Sequence, residues 1–353
     1  MNNRIFLLYR RGIGEVPARI LTEYLQLIEM QMIAMRALER DHMVFIVTPV
    51  TLERCCEQGD AMRKVLEDAQ QRHMHLITLL SKYFDPAEQT RCAANLLTNA
   101  EPIPLDYERW EEALQEVAQR LGVTVDLPPL RPEQRTQLRA QECFERALSL
   151  PPYDLAGKLA AYDEAIRIYP DFAEAYARRA AAHFVNGDLA ACLADCENAL
   201  RLNPNSSEAH HSRAMALAKQ GNYAEALESY SAALRIDPRN SRAYLNRGVA
   251  KFNLGDLDGA IEDYSAAIAL NPNFAEAYFN RSLAHSQRDN FEAALHDYAQ
   301  AMALNLNTRQ AADEANIAAT IAYLERLLRR FPDRPQAEQV RREIARLRAL
   351  AND

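Results

Sequence analysis

The segment 48–70, TPVTLERCCEQGDAMRKVLEDAQ, carries acidic side chains where an α/β protein would place its chemistry. It follows the apolar run Met43–Val47, which has the pattern of a buried strand, and it leads into a helical pattern. In open α/β sheets, ligands bind just past the carboxyl ends of the strands. Glu57 and Glu67 are therefore the candidate acids of an active site in this segment.

Short apolar runs alternate with longer helical patterns up to about residue 123, which is typical of an α/β domain. The predicted strands are 4–9, 42–47, 74–80 and 102–105. The predicted helices are roughly 15–39, with a break midway, then 60–72 and 107–121. We therefore assign residues 1–124 to an α/β domain with a parallel sheet, and residues 125–135 to a stiff proline-rich linker.

Composition limits the class of protein. The chain has 353 residues, 48% hydrophobic and 25% charged, which is enough for two globular domains. No apolar run reaches the ~18 residues that a membrane span needs, and the start lacks a secretory pattern, so we expect a cytoplasmic protein. A net charge of -8 argues against nucleic acid as a partner. Six cysteines without a paired CxxC favour reduced thiols.

Four phrases occur in a recognisable order: IFLLYRR at 5–11, VFIVTPVTLERC at 44–55, GDAMRKVLEDA at 59–69 and LDYERWEEAL at 105–114. Together they resemble a Toll/interleukin-1 receptor (TIR) domain over about 120 residues. The resemblance implies a flavodoxin-like parallel sheet. In enzymatic members it also implies a glutamate that supports cleavage of the nicotinamide bond of NAD, because its carboxylate stabilises positive charge on the ribose.

The glutamate of that motif is replaced in this chain. Asp60 and Arg63 match the motif, but Val65 stands at the position of the glutamate and cannot balance an oxocarbenium charge. Glu67, two residues on, is rotated by about 200° around the helix. Glu57 lies in the preceding loop. The resemblance therefore implies a degenerate domain with no catalytic residue, and Glu57 and Glu67 are the fallback acids.

A second departure concerns the family's second strand and the long loop that closes over the nucleotide. Only about five residues, near Leu27–Gln31, separate the first two helical patterns here. The strand and the loop are therefore predicted to be missing, and with them the substrate cleft.

The second half of the chain repeats itself. PDFAEAYARRA, PNSSEAHHSRA, PRNSRAYLNRG and PNFAEAYFNRS begin at 170, 204, 238 and 272, which are 34 residues apart. Small residues recur where two helices would cross, at Ala180, Ala214, Gly248 and Ser282 and again at Cys192, Ala226, Ala260 and Ala294. The pattern resembles tetratricopeptide repeats over 136–308, about five units with an imperfect first one. Residues 309–353 keep helical periodicity without the motif, as capping helices do.

The resemblance implies an all-α superhelix with a concave groove that holds a peptide or a protein. The predicted partner-binding residues are Phe184, Val185, His211, Met215, Leu245, Val249, Phe252, Phe279 and Leu283. The lysines and asparagines that clamp a C-terminal carboxylate in some members are absent, which argues against chaperone tails. Two other occupants stay open: the chain's own C-terminal helices and a second copy.

Arginines recur at one position of each repeat, and acids recur on the second helices. The arginines are Arg146, Arg179, Arg213, Arg247 and Arg281, and the acids are Asp163, Asp195, Asp263 and Asp297. Ion pairs between repeats are the favoured interpretation, and phosphate binding is the alternative.

Three further groups of side chains have an ordinary explanation and a functional one. Cys192, Cys196 and His183 could hold a metal, although the cysteines occupy core positions, so we assign no metal. The adjacent Cys55 and Cys56 could be redox-sensitive. The arginines between 326 and 348 could contact nucleic acid, but acids lie among them, which favours a solvated face.

These observations predict an adaptor or regulator in which the repeat groove binds a protein or peptide. The TIR-like domain would be a non-catalytic contact surface, in signalling or bacterial defence, and no cofactor is expected. One alternative is an NAD-cleaving effector that is regulated by its repeats. Another is a self-assembling scaffold.

The purified chain and a Val65→Glu variant should both fail to release nicotinamide from NAD, because the cleft as well as the glutamate is predicted to be lost. Turnover is measured by liquid chromatography of the products. Release by the unmodified protein would contradict this prediction and direct attention to Glu57 and Glu67.

Overall fold

The structure is a computed structural model that describes residues 5–8, 16–25, 42–47, 61–71, 74–81, 102–121, 128–307, 314–332 and 337–350. The chain divides into two compact units, Met1–Pro204 and Asn205–Asp353. The first unit holds a sheet and the first two helix pairs of the repeat array. The second holds the remaining pairs and the C-terminal helices.

Four parallel strands form one sheet in the order β1-β2-β3-β4. They are β1 Ile5–Leu8, β2 His42–Val47, β3 His75–Ser81 and β4 Ile103–Leu105. Val44, Ile77 and Ile103 are each no more than 1% exposed, as expected for a parallel sheet whose faces are covered. The four predicted strands are confirmed. The flavodoxin-like order, which places an additional strand beside β1, is not shown by the described residues.

Helices cover the sheet. They are α1, residues 16–25, α2, Ala61–Gln71, and α3, Trp110–Arg120, which follows a 3-10 turn at Tyr107–Arg109. In α3 the buried residues Trp110, Ala113, Leu114, Val117 and Ala118 recur at spacings of three and four, which places them on one face. The predicted helices at 60–72 and 107–121 are confirmed. The second half of the predicted first helix and the missing-loop region near 27–31 lie outside the described residues.

Ten helices follow as pairs between residues 132 and 307. They are α4 Pro132–Ser149, α5 Leu155–Ile168, α6 Ala173–Asn186, α7 Leu189–Leu202, α8 Ser207–Lys219, α9 Tyr223–Ile236, α10 Ser241–Asn253, α11 Leu257–Leu270, α12 Ala275–Gln287 and α13 Phe291–Asn307. Turns between paired helices use left-handed glycines at 187, 221 and 255, with φ of 84°, 85° and 84°. Asp289 takes the equivalent place in the last pair with φ 59°.

Close helix crossing explains the small residues of the repeat. A Cβ on Gly248 would lie 2.6 Å from Cε1 of Tyr264, closer than real contacts allow. Ala180, Ala214 and Ser282, at the same repeat position, are all fully buried. The packing therefore fixes a small side chain at this position, as the sequence predicted.

The predicted linker ends earlier than residue 135. Helix α4 begins at Pro132, where proline is favoured because the first helical N–H has no partner. The Arg131 N–H donates to Oε1 of Gln134 at 2.9 Å, and Leu130 is already buried. Glu23 of α1 accepts from Arg131 at 2.7 Å and from Gln134 at 3.0 Å. The end of the predicted linker therefore belongs to the first repeat helix, because side chains of α1 hold it there.

One apolar core joins the sheet to the repeats within the first unit. Its members include Ile77 of the sheet, Trp110 of α3 and Phe144 of α4. The Phe144 ring lies 5.8 Å from Tyr162 and 5.0 Å from Phe172, measured between centroids. Helix α4 thus packs on the sheet side and on the repeat side in the same core.

Two helices, α14 Glu314–Arg330 and α15 Ala337–Leu350, occupy the region predicted to cap the repeats. Tyr323 and Leu327 of α14 form a core with Phe291 and Tyr298 of α13, and Val340 and Ile344 of α15 join it. The ring centroids of Tyr298 and Tyr323 are 5.3 Å apart.

Phe144→Ala should destabilise the first unit by roughly 3 to 5 kcal/mol, because it opens a cavity in the shared core. The urea midpoint of Trp110 fluorescence should fall, since the single tryptophan lies in that core. Phe291→Ala, at a buried phenylalanine of the second unit, is the matched control. Equal shifts of the Trp110 signal in both variants would contradict the assignment.

Candidate protein-interaction site

The nine predicted groove residues lie on the first helices of the repeats. Phe184 and Val185 end α6 in the first unit, and the other seven lie on α8, α10 and α12 in the second unit. Leu245 is buried at 1% exposure, whereas Val185 is 67% exposed. The remaining seven side chains are half-buried, so they keep part of their surface available for contact.

On α8 and α10 the predicted groove side chains are apolar except for His211. Val249 and Phe252 pack against a core around Leu245 and Tyr264. The ring of His211 lies 5.7 Å from that of Tyr230, and its Nε2 is 3.3 Å from Nδ2 of Asn246. Burial, together with the charge of Arg242, lowers the pKa of His211 to about 4. The imidazole is therefore neutral near pH 7 and adds a hydrogen-bonding group without a charge.

The last repeat is different, because α14 lies on it. Phe279 and Leu283 pack against the core that contains Tyr323, Leu324 and Leu327. The Phe279 and Tyr323 rings meet edge to face at 5.8 Å, and the Tyr323 hydroxyl donates to the Ser282 carbonyl at 3.4 Å. At this end, the chain's own C-terminal helix is the occupant, one of the two alternatives that the sequence left open.

The arginine series forms ion pairs in three repeats, as the sequence favoured. Each guanidinium donates two hydrogen bonds to a buried aspartate sixteen residues on: Arg179 to Asp195, Arg247 to Asp263 and Arg281 to Asp297, all at 2.7–2.8 Å. These bonds raise the pKa of each arginine. A second basic side chain, His183, Lys251 or His285, lies within 4 Å of the same aspartate. The acids therefore balance the arginines, and the phosphate interpretation finds no support at these repeats.

Two arginines of the series depart from this pattern. Ser229 stands at the acid position for Arg213, and Leu217 stands where the other repeats have a second basic residue. Ala161 stands near the acid position for Arg146. In the described part of the chain, neither arginine forms an ion pair.

The structure describes only part of the predicted catalytic segment 48–70, from residue 61 onward. Glu57, Asp60, Cys55 and Cys56 lie outside the described residues. Val65 is 41% exposed on α2, and Glu67 is half-buried two residues further on. Of the two fallback acids, the described residues therefore include Glu67 alone.

A different acid occupies the carboxyl edge of the sheet. Glu145 of α4 is completely buried and accepts from the hydroxyls of Ser81, the last residue of β3, and Tyr107, just after β4. Gln141 donates to it through Nε2 at 2.8 Å. Burial raises the pKa of Glu145 to about 7. No sequence pattern predicts this cluster, because its members come from three separate elements.

A cavity of about 570 Å³ lies between α4 and α5 and was also not predicted. Arg139, Cys143 and Arg146 line it from one face of α4, and Glu164 lines it from α5. Burial raises the pKa of the Cys143 thiol, which therefore stays protonated and unreactive at neutral pH. Charges of both signs line the cavity, so no ligand class is favoured.

Cys192 and Cys196 are fully buried in α7, in agreement with their interpretation as core residues. Among the residues described, no group of His, Cys, Asp and Glu could hold a metal ion. Three of the described C-terminal arginines form salt bridges: Arg330 with Asp289, Arg341 with Glu338 and Arg348 with Glu325. Within the described ranges, no helix combines the length and the apolar character that crossing a membrane requires.

Paired helices, a 34-residue period and small residues at the crossings define a helical-repeat protein. A family model described as tetratricopeptide repeat matches residues 193–241, 211–272 and 245–315. The chain therefore carries tetratricopeptide repeats over 193–315. That model does not reach the sheet, and the TIR resemblance of residues 1–124 stays a hypothesis.

Three solved structures illustrate the likeness. A crystal structure of MamA is 21% identical, with a TM-score of 0.41, and the match covers 44% of this chain and 91% of that one. MamA from Desulfovibrio magneticus RS-1 is 21% identical over 50% and 96%, with a TM-score of 0.42. YrrB, titled a TPR protein with an unusual peptide-binding site, is 24% identical over 43% and 78%, with a TM-score of 0.38. No curated protein matches the sequence.

Asp263→Ser, which copies the residue found at 229, should destabilise the second unit by roughly 3 to 5 kcal/mol, because it leaves Arg247 and Lys251 without their buried acid. Asp163→Ser removes an exposed acid that pairs with Arg179 at 2.6 Å, and should cost less than about 1 kcal/mol. Urea unfolding followed by circular dichroism compares the two. A similar cost for both would show that the buried pairs do not stabilise the repeats.

Proposed function

We propose that the chain is a protein–protein interaction adaptor whose repeats bind a peptide or protein segment. The observation that carries this proposal is the array of tetratricopeptide repeats, with half-buried apolar side chains on successive first helices. Arginines that would suggest a charged ligand are paired with aspartates in three repeats. The surface of α8 and α10 is uncharged at Met215, Val249 and Phe252, which favours a partner with apolar side chains.

The contact surface in the second unit is formed by α8 and α10. Phe279 and Leu283 of α12 already pack against α14, so a partner would meet them only if that helix moved. Met215, Val249, Phe252 and the neutral His211 are the side chains we assign to the partner there. Burying three or four such groups would contribute roughly 5 to 10 kcal/mol gross, before the cost of association.

The sheet has a supporting role in this proposal. The TIR-like region serves as a contact surface without catalysis or a cofactor, in a cytoplasmic signalling or defence pathway. Val65 at the position of the family's glutamate supports this assignment, and its side chain is 41% exposed, as a surface residue would be. Glu145 covers the β3 and β4 edge, where an α/β protein would otherwise admit a ligand.

Peptides selected on the full chain from a random library should be rich in apolar residues, and Met215→Glu and Phe252→Glu should each weaken their binding about ten-fold or more, since each places a charge against an apolar partner. Leu270→Glu is the matched control, because Leu270 is an exposed apolar residue at the end of a second helix. Affinity is measured by fluorescence anisotropy.

Equal binding by the groove variants and the unmodified chain would overturn the assignment of the surface. A mass in solution that rises with concentration, without any selected peptide, would favour the self-assembling scaffold.

A further inference from the structure

The carboxyl group of Glu145 is the most deeply buried acid at the junction between the sheet and the repeats. Its side chain belongs to α4, at 0% exposure, and lies against the carboxyl ends of the neighbouring strands β3 and β4. The residue before it, Phe144, packs on the repeat side. Neighbouring residues in a helix point about 100° apart, so α4 presents one side chain to each part of the core.

The partners of Glu145 donate hydrogen bonds but carry no positive charge. Ser81 comes from β3, Tyr107 from the 3-10 turn and Gln141 from the preceding turn of α4. Within the described ranges, no lysine, arginine or histidine pairs with this carboxyl. The titratable groups that face it are Tyr107 and Glu142, and the pKa of Tyr107 is raised well above its usual value, so that phenol stays neutral.

An unpaired carboxylate in such a place is costly, because hydrogen bonds alone replace only part of its hydration. The neutral acid fits better, since it keeps hydrogen bonds and brings no charge into the core. The nearby Glu142 adds a further penalty on ionisation. Burial is the main reason that the pKa of Glu145 rises to about 7, with three hydrogen bonds acting in the opposite direction.

We propose that Glu145 is a proton-sensitive latch: its neutral carboxyl holds α4 against the β3 and β4 edge, and ionisation loosens that junction. A carboxyl that titrates higher in the folded chain than in the unfolded one stabilises the fold below the unfolded pKa, near 4.5. That contribution is lost as the pH rises through about 7. The sheet is therefore held most firmly in mildly acidic solution.

Trp110 reports on this junction. It is the only tryptophan, it is 1% exposed, and its ring stacks on Tyr107 at 6.1 Å between centroids. Acrylamide quenching of its fluorescence in the full chain should increase as the pH rises from about 5 to 9, over the roughly two pH units in which one carboxyl ionises. The midpoint should lie near the pKa of Glu145, about 7.

Glu145→Gln should abolish the transition and stay weakly quenched throughout, because the amide keeps the shape and cannot ionise. Glu108→Gln, at an exposed acid beside Tyr107, is the matched control and should keep the transition. Ser81→Ala removes a donor to the ionised carboxylate, so its midpoint should move to higher pH. If circular dichroism shows that Glu145→Gln loses helix, the midpoint of Ser81→Ala is the measurement that tests the proposal.

Three results would overturn the proposal: quenching of the unmodified chain that does not change with pH, a transition that survives in folded Glu145→Gln, or a midpoint that Ser81→Ala leaves in place.

Discussion

Helix α4 packs against both the sheet and the next helices of the repeats, and the first unit depends on these two contacts. Phe144 contacts Tyr162 and Phe172 on the repeat side, and Glu145 bonds with Ser81 and Tyr107 on the sheet side. A sheet of four short strands has little core of its own and needs a covering layer. The first repeat, with no repeat before it, likewise needs a surface to cover its first helix. The sheet therefore covers the first repeat helix, and that helix covers the sheet.

Buried acids in three of the repeats are neutralised by basic side chains. In each of these repeats a buried aspartate accepts from an arginine and faces a second basic residue, so a polar network is closed inside the helix stack. Where Ser229 removes the acid, Leu217 also replaces the second basic side chain. We propose Met215, Val249 and Phe252 as the contact side chains because they are apolar and half-buried on first helices.

Sequence predicted those features whose cause is local or periodic. The four apolar runs correspond to the four strands, and the 34-residue period corresponds to the helix pairs. Gly248 lies at a helix crossing that leaves no room for a Cβ. The Glu145 cluster could not be predicted from the sequence, because Ser81 and Tyr107 are 64 and 38 residues away from Glu145 and belong to no motif. The contact of α14 with Phe279 is only one of the alternatives that the sequence allows, since a capping helix has amphipathic periodicity but no pattern that identifies its neighbour. The first repeat helix begins at Pro132, inside the predicted linker 125–135, because proline suits both a linker and the first turn of a helix.

Native-state hydrogen exchange of the full chain tests most directly whether the sheet and the first repeat are one folding unit. The central amides of β3 and α4 should open with free energies that agree within about 1 kcal/mol, since elements that share a core exchange together. Strand β3 exchanging several kcal/mol more readily than α4 would contradict the account. The sheet would then be a separate module, joined to the repeats without a common core.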